Sequence, residues 1–383
     1  MKNKIKILIC GILPPPFFGH SAMYKILMES TFVETFDITF LDMRFWSYDQ
    51  HKKITFFKLL KLVKYFSQYL YLILQERPRY VLYNMSFDKM PFLKDFLFCF
   101  VGRILGVRIV IHDMGQYVRE LYDQSNGLYR SLIRWLLGHA TASIVLGERT
   151  KLAYKGLMDE NKLFAVPGSV EDTACLELDS SVSKDRANKE FINVLYFSFM
   201  SVSKGIFTAF KAVPRVLKTE QNIRFTFAGP MESKSIEQTL NQLKKNYGPK
   251  IEYRGYIADE IKRTELYRGA DIFIFPTHRD VFGLVLLHAM AEGLPIIASM
   301  EGTIPEIIQD GVNGFFIAKG DDVQLAERIL HLAADQQLRK KMGELNRQRY
   351  VAVYSPQRYG QRMIDTFVEI DKSDPSRNRR KEP

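Results

Sequence analysis

Short apolar runs rich in β-branched residues alternate with helix-length patterns along this chain, and they do so twice. In the first half the runs are KIKILICGI, DITFLDM, RYVLYN, VRIVIHD and ASIVLG; in the second they are INVLYFSF, IRFTFAG, IEYRGY, DIFIFP and PIIAS. Strands that are apolar throughout, separated by helices, predict a parallel sheet covered on both faces. The expected class is therefore α/β with two such sheets, and 383 residues suffice for two cores. The polar stretch LELDSSVSKDRANKE separates the halves. We expect a first domain over 1–175, a linker over 176–190 and a second domain over 191–354. SPQRYGQRMIDTFVEI predicts a further helix over 355–371 that packs back on the first domain, followed by a charged tail over 372–383.

The composition, 46% hydrophobic and 25% charged, is that of a globular protein. Cys10, Cys99 and Cys175 are widely separated, without a CxxC pair or histidines at ligand spacing, which points to a reducing compartment and to no metal site. The start MKNKIKILICGI has only a strand-length apolar run and no small-residue cleavage site, so we expect a buried first strand in a cytoplasmic protein. The net charge of +11 is concentrated: residues 51–111 hold a surplus of eight positive charges and the tail a surplus of three. That pattern argues for a locally met anionic surface and against nucleic acid. Within the basic segment, ITFFKLLKLVKYFSQYLYLIL places Lys58, Lys61 and Lys64 among aromatic and aliphatic residues. It is too charged to span a membrane. It fits an amphipathic helix lying on anionic lipid, peripheral on the inner face of the plasma membrane. The alternative is an ordinary helix packed on a sheet with its lysines in water.

Ligands of open parallel sheets bind beyond the carboxyl ends of the strands. Gly19, His112, Lys204 with Gly205, and Asp280 to Gly283 all follow or end apolar runs. In HRDVFG followed by LVLLHAMAEG, the backbone N–H groups of Phe282, Gly283 and Leu284 open a helix, an arrangement suited to phosphate. Lys204 could add a positive charge. The alternative is that Asp280 merely caps the helix and Lys204 is solvated. His288, inside the apolar helix, is either a packed core residue or a ligand contact. No GxGxxG follows a strand, which argues against a dinucleotide dehydrogenase.

SKGIFTAFKAV, AGP, GYIADEIKRTELYRGADIFIFPT, FGLVLLHAMAEGLPIIAS and TIPEIIQDGVNGFFI occur in the order and spacing of a known family. Together they resemble the nucleotide-sugar domain of the GT4 glycosyltransferases (glycosyl transferases group 1) of GT-B fold, in which two Rossmann-like parallel-sheet domains face each other across a cleft. The resemblance is strong over 190–320 and weaker over the first half, through PPPFFGHSAMYKIL, VIHDMG and VPGSVED. It implies a retaining, metal-independent hexosyltransferase that takes no cofactor and uses a UDP- or GDP-sugar donor. The acceptor it implies is a hydroxyl of a glycan or lipid-linked molecule, as in bacterial surface polysaccharide assembly. Carried over, Lys204 and the amides of Gly283 and Leu284 hold the diphosphate, Ile257 meets the base, and His288 meets the ribose. His112 and Asp280 contact the donor sugar, and Gly19 lies in the loop over the diphosphate. Catalytic roles fall to His112, Asp280 and Lys204.

The chain departs from the family pattern at three positions. Phe199 stands where the family has arginine, and Asp280 and His288 stand where it has glutamates. A neutral imidazole offers one acceptor and one donor where a carboxylate accepts from two hydroxyls. Two other readings stay open on sequence alone: a GT-B sugar-nucleotide 2-epimerase, and a GT-B nucleotide-sugar-binding protein whose turnover has been weakened.

Overall fold

The computed structural model describes residues 4–15, 19–44, 56–115, 117–173 and 191–373. The expected linker 176–190, Cys175 and the tail beyond residue 373 lie outside them. The chain divides into two compact units, Met1–Ser169 with Pro356–Pro383, and Val170–Ser355.

In the first unit, six strands form one parallel sheet: β1 (Lys6–Gly11), β2 (Asp37–Asp42), β3 (Tyr80–Met85), β4 (Arg108–Asp113), β5 (Ala142–Val145) and β6 (Leu163–Ala165). Their order is β2-β1-β3-β4-β5-β6. Strands β1, β3, β4 and β5 are almost wholly buried, as their unbroken apolar runs require. The helices Phe56–Glu76, Lys89–Ile104 and Gly127–His139 share a core with them, built on Tyr69, Phe98, Ile109 and Leu136. The helix Pro356–Ser373 also belongs to this unit. Tyr80 Oη donates to Asp371 at 3.0 Å, Arg79 pairs with Asp371 at 2.7 Å, and the Phe367 ring packs among Phe32, Phe36 and Tyr80.

The second unit repeats the plan with β7 (Ile192–Phe197), β8 (Ile223–Ala228), β9 (Ile251–Tyr253), β10 (Ile272–Phe275), β11 (Ile296–Ser299) and β12 (Gly314–Ile317), all parallel. The order β12-β11-β10-β7-β8-β9 means that the chain starts in the middle, runs to one edge, and returns to fill the other. Its direction of progress therefore reverses between β7 and β10. In doubly wound sheets that point opens a crevice, because the connections leaving the two strands cover opposite faces.

Residues 170–173 belong to the second unit, so the first stops short of residue 175. Polar contacts hold them there. Tyr350 Oη donates to the Val170 carbonyl at 2.8 Å, and Arg347 grips Asp172 with two bonds of 2.8 and 3.0 Å. The edge strands β6 and β12 were not expected from the sequence. Each is short, three and four residues respectively, and each pairs on one side only.

Candidate functional site

The reversal between β7 and β10 brings together two loops that lie far apart in sequence. The loop after β7 carries Ser203, Lys204 and Gly205; the loop after β10 carries Pro276 to Gly283. The backbone N–H groups of His278 and Arg279 both donate to the Ser203 carbonyl, at 2.8 and 3.0 Å. Gly205 has φ +71°, and a Cβ there would overlap the Pro276 carbonyl oxygen. Glycine is thus required by both conformation and space. The second loop is braced from behind by Thr303, whose backbone N–H and hydroxyl both donate to the Val281 carbonyl.

Within this frame, the Lys204 ammonium lies 2.5 Å from Asp280 Oδ2 and 3.3 Å from the Arg279 carbonyl, above the Phe275 ring. Asp280 Oδ1 accepts from the Phe282 amide at 3.1 Å. Gly283, at φ +74°, is the N-cap of the helix Leu284–Ala291. The first N–H groups of a helix have no partner within it, so this end presents donors and the positive end of the dipole beside an ammonium group. Lys204, Asp280, Gly283 and Leu284 thus converge on one place in the second unit. Asp280 does not cap the helix, whose N-cap is Gly283 without a side-chain hydrogen bond; one of its oxygens closes a turn on Phe282 and the other holds Lys204.

His288 lies one turn further along the same helix and occupies different surroundings. Its ring stacks on Tyr267, with centroids 5.5 Å apart and planes at 24°. It lines a small, partly open cavity with Thr173, Glu260, Arg263, Thr264, Tyr267 and Glu292. The residue is half-buried, and protein packed around the ring pushes its pKa down to about 3; Arg263 adds to the effect and Glu171 opposes it. One wall is fixed by a buried network in which Arg268 Nε donates to Glu292 Oε2 at 3.1 Å and Thr173 Oγ1 to Glu292 Oε1 at 2.5 Å. Ile257 is half-buried in the connection between β9 and the helix Glu260–Gly269. Phe199 is exposed just past β7. Tyr267, Glu292 and Thr173 were missed from the sequence, where nothing but proximity in the fold connects them to His288.

In the first unit, His112 is the penultimate residue of β4, in register with Asn84 and Ile144. Its Nδ1 lies 3.0 Å from the Tyr24 hydroxyl, whose ring meets the imidazole edge-on at 5.5 Å. The side chain is fully buried, which, with His20 adding to it, pushes the pKa down to about 3. Among the described residues its Nε2 has no hydrogen-bond partner. A buried polar nitrogen left without one costs about 1–3 kcal/mol. If the Tyr24 hydroxyl donates to Nδ1, the ring proton sits on Nε2 and is free to donate. Gly19 opens the helix Gly19–Met28 and is exposed; the three residues before it are outside those described. Among the described residues, no group of His, Cys, Asp or Glu is placed to hold a metal ion.

Residues 180–349 match the family described as glycosyl transferases group 1. Of the curated relatives, the capsular polysaccharide biosynthesis glycosyltransferase CapM of Staphylococcus aureus is 26% identical over 228 residues, covering 57% of this chain and 59% of that protein. The chain thus spans less than two thirds of that relative's length. Among solved structures, a sucrose-phosphate synthase from Thermosynechococcus elongatus superposes with a TM-score of 0.75 at 16% identity, covering 97% of this chain and 100% of that one. Anabaena HepE in complex with UDP and glucose gives a TM-score of 0.71 at 15% identity, covering 95% and 99%. At such identities the two structures speak for the fold alone, which is GT-B.

Proposed function

We propose, from a chain whose residues 180–349 belong to the glycosyl transferases group 1, that this protein moves a sugar from a nucleoside-diphosphate sugar to an acceptor hydroxyl. Transfer retains the anomeric configuration and needs no metal. The observation that carries this reading is the Lys204–Asp280 pair at the N-terminus of the Leu284–Ala291 helix, at the point where the sheet order reverses. Transfer at an anomeric carbon passes through an oxocarbenium-like state while negative charge builds on the departing diphosphate. An ammonium group and the positive end of a helix dipole stabilise that charge. In the proposed cycle the diphosphate displaces the Asp280 carboxylate from Lys204, and Asp280 then accepts from a hydroxyl of the donor sugar. The family pattern gives the neutral His112 a contact with the donor sugar. His288 meets the ribose, Ile257 the base, and Gly19 the loop over the diphosphate, as the family pattern implies.

HepE, which shares the fold, was solved with UDP and glucose, in keeping with a nucleoside-diphosphate donor, and CapM is described as a capsular polysaccharide biosynthesis glycosyltransferase, in keeping with a polysaccharide acceptor. A thermal-shift screen against nucleoside diphosphates and their sugars tests the donor assignment, since a ligand that binds only the folded state raises the melting temperature with its concentration. One nucleotide family should raise it. A flat response to UDP, GDP and their sugars would remove the nucleotide-sugar reading.

A further inference from the structure

The first unit carries apolar side chains on two neighbouring helices that the sheet does not cover. On the Phe56–Glu76 helix only Tyr69 and Ile73 are buried, while Phe56 is 71% and Phe57 76% exposed, with Leu60, Val63, Tyr71 and Leu74 exposed as well. On the Lys89–Ile104 helix, Phe92, Asp95, Phe98, Cys99 and Gly102 face the core. Met90, Leu93, Leu97 and Ile104, spaced to share one side of a helix, are exposed. The two helices pack directly on each other. The Phe98 ring meets Phe66 and Tyr69 at 5.3 and 5.1 Å, and a Cβ on Gly102 would overlap the Tyr69 hydroxyl. Both belong to the same core, so their outer sides turn away from the same sheet.

The charges on these helices are nearly all of one sign. Lys58, Lys61, Lys64, Lys89, Lys94 and Arg103 stand against Glu76, which pairs with Lys6, and Asp95, which is buried against Tyr83, Ser86 and Lys94. A second copy of the chain docking here would bring like charges together. A bilayer with anionic headgroups supplies both an apolar layer and the opposite charge. No described helix is long and apolar enough to cross a membrane, so contact is by lying in the interface.

We propose that the 56–76 and 89–104 helices form one docking face for an anionic phospholipid bilayer. The phenylalanines and leucines enter the headgroup–acyl boundary, and the lysines reach along their stems to the phosphates. The inference stands apart from the transfer reaction and does not need it. Co-sedimentation with vesicles of phosphatidylcholine alone, and of an equal mixture with phosphatidylglycerol, tests it at low and high salt. Binding should require the anionic lipid and fall with salt. The double change Lys61→Glu with Lys64→Glu should weaken it at least about 25-fold, from roughly five-fold for each basic residue at a membrane surface. Leu97→Ser with Ile104→Ser, on the other helix, should also weaken it, with circular dichroism and melting temperature unchanged. Failure of the wild-type protein to sediment with anionic vesicles at low salt would overturn the proposal, as would full binding by the Leu97/Ile104 variant. So would a dimer, seen by sedimentation velocity, that these same changes dissociate.

Discussion

At the residue scale the heaviest demand falls on Lys204, because in the proposed reaction the ammonium that holds Asp280 at 2.5 Å also holds the diphosphate during transfer. Lys204→Ala should lower affinity for the bound nucleotide by about 1.5–3 kcal/mol, roughly 10- to 150-fold, the value of a charge-assisted contact. Calorimetric titration with the nucleoside diphosphate checks this, and unchanged affinity would take Lys204 out of the site. The buried His112 and the half-buried His288 make a different prediction. Both His112 and His288 are held far below the ordinary 6.5, to about 3. Unfolding restores the ordinary value, so from 6.5 down towards 3 the unfolded chain binds more protons than the folded one. Stability must therefore be full above pH 6.5 and fall as the pH drops below it, by up to about 1.4 kcal/mol per pH unit for each histidine. Denaturant titrations across that window should show His112→Gln with a shallower acid slope than wild type; an equal slope would mean that His112 is solvated in the folded chain. Nucleotide affinity should show no step near pH 6.5 from His288, which stays neutral on both sides of it.

At the scale of elements, the helix Pro356–Ser373 illustrates how a segment far along the chain completes an earlier core. Phe367 sits against Phe32, Phe36 and Tyr80 and is 1% exposed. Phe367→Ala should cost about 3–5 kcal/mol, measured by denaturant unfolding. A loss below about 1 kcal/mol would show that the helix does not seal this core. The same scale shows what could be read in advance. Strands β1, β3, β4, β7, β8 and β10 announced themselves because burial on both faces demands uninterrupted apolar runs. LFA and GFFI, the edge strands β6 and β12, were not read although they are no shorter than β9 and β10; each pairs on one side only, so neither needs a long apolar run. Lys204 and Asp280 were legible one at a time, as charged residues following apolar runs. Their pairing was not, because it depends on β10 returning to lie beside β7, which no local pattern encodes. The setting of His288 was harder still: Tyr267, Thr173 and Glu292 come from three separate segments.

At the scale of the whole molecule, each unit is a doubly wound sheet whose order reverses once, between β1 and β3 in the first and between β7 and β10 in the second. In the second unit that reversal assembles a lysine, a carboxylate and a helix N-terminus from two loops, and the match of residues 180–349 to the glycosyl transferases group 1 is in keeping with the proposed nucleotide-sugar chemistry. Such an arrangement stabilises a leaving diphosphate, whereas no side chain in it is placed as an obvious enzymic nucleophile. The retention proposed for this protein would then come from front-face attack by the acceptor hydroxyl, assisted by the departing diphosphate. The most direct test is to supply the nucleotide sugar identified by thermal shift with a saccharide acceptor and to follow the anomeric proton by NMR. The account predicts release of the nucleoside diphosphate, a new glycosidic bond of the donor's own anomeric configuration, and loss of both in Lys204→Ala. A product of inverted configuration, or an epimerised nucleotide sugar formed without acceptor, would contradict it.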